Sequence, residues 1–540
     1  MALLSPASSQ ANGDKADAGR SASGGAPAVL HGRLVLVLPF ENHANQPGLD
    51  WIGEAAAEVL NRRLAAAGFM PISRDDRLYA LNHLGLPQSF QPSRASAIRL
   101  AQTLDADYVI VGSFSTDGQR FRASTQVLSM DTLHMTPSLY EEAAMPRLLD
   151  VLNSLAWRLA KSLDPEFAVA QNTFVAIDAN LKVATFENYI RGLVEPDAPG
   201  RIRHLKEAVR LDPTYAPALL ALGKAYFADQ QYEQAAATLG LLPKDDANAR
   251  EADFYRGLAY IYLGSYGKAE DAFAFVSQQL PLPEVVNNQG VAASRRGKDA
   301  TPLFLQAVSA DPNDPDYQFN LALALDHKHD VQGALAALAQ TLKLRPQDSE
   351  AQSLQATLRK QAQSAPAGGR PAAAQAASSD EDAAPLERVK RTFNEASFRQ
   401  AAFEMEQMEA VRLASLAPAK HAQVLADEGT RYLYQGLILE AEREFQAALQ
   451  IDSGNAVAHA GLAVVRERGG DVQEARQQAE QSLQLQPNIS AYLVLARLDL
   501  AANQLPAAAG NVSHALQLEP QNSAARGLRQ QLEAKGQQIP

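Results

Sequence analysis

The chain has no cysteine, and that single absence removes disulfides, thiolate metal sites and cysteine nucleophiles together. It leaves the compartment open, because a cysteine-free protein can work in a reducing or an oxidising one. There is no apolar run of about 18 residues or more, so no segment reads as a membrane-spanning helix. Aromatic residues are scarce, at 6% against 46% hydrophobic overall, and alanine fills the difference. Abundant alanine suits closely packed helices more than sheets. Basic residues are outnumbered, 49 against 61 acidic, for a formal net charge of −12. That balance provides no basic footprint for nucleic acid and favours solubility. A length of 540 residues calls for several domains rather than one.

A conventional secretion leader is also lacking at the start. Residues 1–32 have neither the basic opening nor the apolar core of a signal peptide. Yet "ALLSPASSQA" looks like the tail of one, with small Ser9 and Ala11 at cleavage spacing. Two expectations follow for 1–32: a disordered Ser/Ala/Gly tail, or the remnant of a signal peptide whose true start lies upstream.

What the chain does have is a ruler. Gly223, Tyr226 and Ala235 recur 34 residues later as Gly257, Tyr260 and Ala269. The same step carries Ala300, Ala307 and Pro312 to Ala334, Thr341 and Pro346, and Ala441, Phe445 and Ala448 to Ala475, Ala479 and Ser482. A 34-residue period with small residues at fixed offsets is the signature of tetratricopeptide repeats, each a helical hairpin. Small residues near the eighth and twentieth positions let the two helices approach. A large one near the twenty-fourth (Leu205, Leu239, Phe273, Phe304, Leu338, Phe445) fills the gap between neighbours. Closing "LDP", "ADP", "LRP", "LQP" and "LEP" segments stop each second helix, since the residue before proline avoids the helical region.

Eight units are expected to begin near residues 184, 217, 250, 284, 316, 422, 456 and 490, with a capping helix from Ser523. Between the fifth and sixth the ruler breaks. Ser364–Pro385, rich in Pro, Ala, Gly and Ser, reads as a flexible linker. The stretch from Leu386 to Leu416 has helical spacing and is expected to lead into the second array, packing on its first repeat. The expected organisation is therefore mainly α: a small α/β domain over 33–167, an α-solenoid of about five repeats over 168–363, a linker over 364–385, and a second solenoid over 386–540.

Residues 33–167 have a different texture, with "RLVLVLPF", "FMPIS", "ADYVIVGSFS" and "QRFRASTQVLSMDT" as strands and three intervening or flanking helices. "LPFEN", "DWIG" opening a helix, and "LDADYVIVGSFSTDG" resemble the amino-terminal domain of TolB and its FlgO-type relatives. The likeness covers about a quarter of the chain, and no β-propeller follows as it does in TolB. It implies a binding domain, commonly of the bacterial cell envelope, with no catalytic residues to carry over.

Chemistry finds little footing. GxGxxG and GxxxxGK[ST] are both absent after the first strand, which removes the usual phosphate cradles. "DHKHD", Asp326 to Asp330, falls at the turn of the fifth repeat and reads as a solvated turn rather than a metal site. No Ser/His/Asp grouping stands near a nucleophile motif. No cofactor is expected. The remaining candidate is the concave face. By resemblance to tetratricopeptide arrays, set positions of the first helices line it, and here they give Lys224, Phe227, Phe254, Ile261, Tyr262, Asn287, Arg295, Phe319 and His327. Such a groove suits an extended peptide or a partner helix. The Lys/Asn clamp of chaperone-tail receptors is not matched, since its offsets hold Leu220, Lys224, Phe254 and Leu258.

The expected function is a non-enzymatic protein-interaction scaffold that binds protein or peptide partners. Its expected place is the periplasm or envelope if a signal peptide precedes this start, and the cytoplasm otherwise. Two rivals stay open: a sensor whose α/β domain binds a small molecule or nucleotide, and an accessory subunit of an enzyme complex.

Overall fold

The computed structural model describes residues 34–539, apart from 45, 47, 88–92, 166, 177–180, 247, 365–385, 394–410 and 435. The amino-terminal tail and nearly all of the expected linker lie outside the described residues.

The first domain is a mixed sheet with helices on both faces. Its strands are β1 (Leu34–Val37), β2 (Glu41–Asn42), β3 (Met70–Pro71), β4 (Tyr108–Thr116), β5 (Arg120–Ser129) and β6 (Leu139–Ala144). They run in the order β3-β1-β4-β5-β6, with β2 pairing beside β4. β1 is parallel to β3 and β4, while β4, β5 and β6 form an antiparallel meander. β1 reads Leu-Val-Leu-Val because both its faces are covered. Val35 and Val37 join the core beneath α1 (Trp51–Ala66) and α4 (Leu148–Leu163). Leu36 and Leu38 join the other, beneath α2 (Arg74–His83) and α3 (Arg94–Thr103). The corner after β1 is tight: Phe40 N donates to Gly53 O at 3.1 Å. The Phe40 ring lies so close to Gly112 that a Cβ there would come within 2.4 Å of it.

After a short connector helix, α5 (Gln171–Ala176), five helical hairpins follow. They are α6/α7 (Val183–Val194, Ala198–Leu211), α8/α9 (Ala216–Ala228, Tyr232–Leu239), α10/α11 (Ala249–Tyr262, Tyr266–Gln279), α12/α13 (Pro283–Ser294, Thr301–Ala310) and α14/α15 (Pro315–His327, Val331–Leu344). α16 (Ser349–Ser364) closes this array. Three more hairpins, α17/α18 (Pro418–Tyr434, Ile438–Ile451), α19/α20 (Ala456–Arg468, Val472–Leu485) and α21/α22 (Ile489–Ala501, Leu505–Leu518), precede the terminal α23 (Ser523–Ala534).

The repeat pattern maps onto packing directly. In the fourth hairpin Gly290 faces Phe304, and a Cβ on Gly290 would sit 2.7 Å from the ring. Gly192, Gly223, Gly257 and Gly429 face Leu205, Leu239, Phe273 and Phe445 in the same way. Asp212, Asp311, Arg345, Gln486 and Glu519, each before a proline, are extended and end their helices.

The α/β domain and the first array share one continuous core. α1 lies on α6, where Tyr189 Oη donates to Glu58 at 2.9 Å and Arg62 covers the Phe186 ring. The second array returns to the connector. Buried Glu442 of α18 accepts from Ala170 N at 2.8 Å and Thr173 Oγ1 at 2.5 Å, and Arg466 of α19 donates to it at 2.6 Å. Gln446 Nε2 adds a bond to Ala168 O at 3.1 Å.

One expectation is corrected. Residues 386–393 were expected to open a helix leading into the second array; they form none, and lie against the first array instead. Their helical spacing is a local preference, and it yields to the main-chain partners described next.

Candidate peptide-binding groove

First helices of successive hairpins stand side by side on the concave face of the first array. One position per repeat therefore recurs as a row, Phe254, Asn287 and Phe319, and the next position of the last two repeats holds Asn288 and Asn320, 32 residues apart like the helix starts Pro283 and Pro315. Asn287, its neighbour Asn288 and Asn320 are all fully buried. A carboxamide carries donor and acceptor side by side, so it can pair with a backbone as a neighbouring strand would.

That is the arrangement around 386–393. Arg388 N donates to Asn320 Oδ1 at 2.7 Å, and Asn320 Nδ2 donates to Arg388 O at 2.8 Å. Asn288 repeats the pairing two residues on, with Lys390 N to Oδ1 at 2.9 Å and Nδ2 to Lys390 O at 2.7 Å. Asn287 ties the two together. Its Nδ2 reaches Arg388 O at 3.0 Å, and its Oδ1 accepts from Asn320 Nδ2 at 2.7 Å. Gripping residues i and i+2 from one side requires an extended chain.

Side chains of the segment add further contacts. Arg388 forms two bonds of 2.7 Å with the carboxylate of Asp348 and another of 2.9 Å with Glu350, its guanidinium 3.7 Å above the Phe319 ring. Lys390 bridges Asp314 at 2.6 Å and Asp316 at 2.8 Å, beside the Tyr317 ring. Glu387 points the other way: Ser294 Oγ donates to it, and Arg295 lies 3.3 Å from it. Arg391 covers Tyr262, and Phe393 packs on Phe254 with centroids 5.3 Å apart.

The charges reinforce one another. Burial opposes charge on Arg388, but Asp348 and Glu350 outweigh it and hold the group above its ordinary value. Burial likewise opposes charge on Lys390, and Asp314 and Asp316 outweigh it. The Arg388 guanidinium in turn holds the Asp348 carboxyl below the usual carboxylate range. Asp316 is held below it as well, burial being outweighed by Lys390 and Arg345. Burial, then Asp314 and Glu284, push the Tyr317 phenol well up, so it stays protonated.

Five of the nine groove residues expected from the repeat offsets touch this segment: Phe254, Tyr262, Asn287, Arg295 and Phe319. The other four do not meet it. Lys224 pairs with Glu251 at 2.7 Å. Phe227 belongs to an aromatic cluster with Tyr232, Tyr255 and Tyr262. Ile261 is buried in the array core, and His327 stands exposed at the end of α14. The offsets missed Asn288, Asn320, Asp314, Asp316 and Asp348. A usable signal existed for Asn320, which repeats Asn288 one unit later. Along Lys390–Phe393 the groove borders a cavity of about 1050 Å³ walled by the α/β domain, the first array and Tyr432 and Arg443 of the second. Among the described residues no group of acidic or histidine side chains forms a metal site.

The tetratricopeptide-repeat family model matches residues 202–259 and 292–358. The hairpins of the first array are thus tetratricopeptide repeats, a class that mediates protein–protein interaction. Among solved structures, a MamA chain (residue 41 to the end) from Desulfovibrio magneticus RS-1 is 20% identical, over 34% of this chain and 100% of that one, with a TM-score of 0.28. YrrB, described as a TPR protein with an unusual peptide-binding site, is 16% identical over 38% of this chain and 99% of its own, with a TM-score of 0.28. The C-terminal domain of LpoB from Salmonella enterica is 26% identical over 22% of this chain and 87% of its own, with a TM-score of 0.20. No curated protein matches the chain in sequence.

Proposed function

We propose that the protein is a non-catalytic interaction scaffold whose first tetratricopeptide array binds an extended peptide segment of a partner protein. One observation carries the reading: Asn287, Asn288 and Asn320 hold both the N–H and the C=O of alternate residues in an extended chain. Such main-chain pairing gives affinity for any extended peptide, and the flanking acidic and aromatic side chains give preference. A preformed solenoid face also binds with little ordering cost of its own.

The α/β domain, with its resemblance to the amino-terminal domain of TolB, serves in this reading as a second binding module. An envelope setting accords with that resemblance. Fractionation of the native protein tests it, and recovery wholly in the cytosol would refute it. The groove itself is tested in the full chain with residues 386–393 replaced by a Gly/Ser segment of equal length. A fluorescent peptide Leu-Glu-Arg-Val-Lys-Arg-Thr-Phe should bind this protein, and adding Asn320→Ala should weaken binding at least tenfold. Absence of binding, or binding indifferent to Asn320, would refute the groove reading.

The large cavity supports a second reading, a small-ligand sensor. Its wall carries Arg62, Lys224 and Arg443 beside Glu58 and Glu251. A nucleotide that raises the melting temperature of the intact chain, but not of an Arg62→Ala variant, would favour it.

A further inference from the structure

We infer that residues 386–393 are a built-in competitor: the first array is closed by its own chain, and opens to a partner peptide that carries the same chemistry. This rests on the groove reading above and adds both the ligand class and the regulation.

The segment has the character of a bound ligand rather than of a structural element. It forms no helix or strand of its own. Its backbone at Arg388 and Lys390 is bonded to side chains of the array, those of Asn320, Asn287 and Asn288. It is also charge-complementary to its site. One carboxylate, Glu387, meets Arg295, while Arg388 and Lys390 meet Asp348, Asp314 and Asp316. A folded core would be sealed by apolar burial, whereas this contact is largely ionic and amide-mediated, and Arg388 and Lys390 keep part of their side chains in water.

These contacts define the ligand class. The groove takes an extended peptide with a carboxylate at the first position, cations at the second and fourth, and an aromatic ring at the seventh. The second position needs arginine specifically, because the paired bonds to Asp348 and the stacking on Phe319 both use a planar fork. The fourth accepts any cation that reaches Asp314 and Asp316. Lys390, Arg391 and Phe393 also line the large cavity. Removing the segment therefore joins groove and cavity into one channel, giving a longer partner peptide access to the α/β domain and the second array.

A tethered competitor lowers the apparent affinity for a free peptide by the fraction of time the groove stands open. If the groove is open about a tenth of the time or less, vacating it raises affinity about tenfold or more. The test uses the full chain in three forms: native, Arg388→Glu/Lys390→Glu, and the Gly/Ser replacement of 386–393. Each is titrated with the fluorescent Leu-Glu-Arg-Val-Lys-Arg-Thr-Phe peptide, and circular dichroism verifies that the helices persist. Hydrogen exchange at 386–393 is followed in the native protein with and without unlabelled peptide. The expected result is binding at least tenfold tighter to both altered forms, with peptide accelerating exchange at 386–393 in the native chain. Equal affinity for all three forms, with 386–393 still protected, would overturn the competitor while leaving trans peptide binding intact. Failure of the Gly/Ser form to bind would overturn the competitor and the groove reading together.

Discussion

The two solenoid arrays share a repeat but not a way of holding other chain segments. At the position occupied by Phe254, Asn287 and Phe319 in the first, the second array has Ala426, Ala460 and Val494, all buried. Its repeats thus spend on helix packing a position that the first array turns toward residues 388–393. The second array holds its own segment, the connector around 168–173, through buried Glu442, which pairs with Arg466 and accepts from Ala170 N and Thr173 Oγ1. Same fold, different chemistry: the first contact is spread over amides and rim charges and suits exchange, while the second concentrates charge in a dry site and suits permanence.

The sharpest way to break this comparison is Glu442→Ala. Glu442 is fully buried and the Arg466 side chain is 6% exposed, so removing the carboxylate leaves Ala170 N and Thr173 without their acceptor and Arg466 with only the more exposed Glu474, at 2.9 Å. Breaking a buried pair from one side costs about 3–5 kcal/mol. The second array should then separate from the rest, giving an additional denaturation transition and a larger radius by small-angle scattering. A single transition at the native midpoint would show that the contact is dispensable.

Asn320→Ala is the matching cut in the first array, and it should be milder. It removes both bonds to Arg388 and the bond to Asn287, leaving Arg388 N–H without its acceptor at a cost of about 1–3 kcal/mol. The loss should show as faster hydrogen exchange at 386–393 and leave the global melting of the arrays nearly unchanged. Exchange unaltered at Arg388 would mean that the side-chain ion pairs alone hold the segment.

The physical origin of each contact also explains how far it could be read from the residues. Hairpins are legible because the repeat enforces them locally: a glycine opposite a large residue, an extended residue before proline. The groove is legible where it reuses the repeat frame, so Phe254, Asn287 and Phe319 emerge from offsets alone. Asp348 escapes because it sits on the turn before α16, outside any first-helix position. The segment 386–393 escapes more completely. "LERVKRTF" has helical spacing, and only the distant amides of α12 and α14 make the extended form better satisfied. Glu442 escapes for a related reason, since "ILEAEREFQAALQI" reads as an ordinary amphipathic helix with its glutamates in water.

Two glycines bring the comparison down to one methyl group. Gly290→Ala in the first array would drive a Cβ to 2.7 Å from Phe304, an overpacking worth about 1–3 kcal/mol. Gly527 in α23 meets nothing within 4 Å, so Gly527→Ala should stabilise by roughly 0.5–1 kcal/mol through helix propensity. Urea midpoints of the two variants should move in opposite directions, and a shift of the same sign would contradict the packing described for the repeat.

The smallest effect separates the carboxylates that grip Arg388. Glu350 is 59% exposed and contributes at most about 1 kcal/mol as a surface pair, whereas the Asp348 side chain is 4% exposed and bonds both arms of the guanidinium. Glu350→Gln should leave exchange at 386–393 nearly unchanged, while Asp348→Asn should loosen the segment and speed exchange there. Acid should act through the same buried groups. Asp348 and Asp316 have pKa values below the ordinary 3.8 while the segment is bound. Their contribution is therefore fully present above that value and is lost as pH falls through their lower bound-state values. Hydrogen exchange at 386–393, corrected for intrinsic rates, should stay level from neutral pH down to the ordinary carboxylate value and rise only below it. Asp348→Asn should remove part of that acid dependence and Glu350→Gln little of it. An identical acid profile in native protein and Asp348→Asn would place the grip elsewhere than in the buried carboxylate.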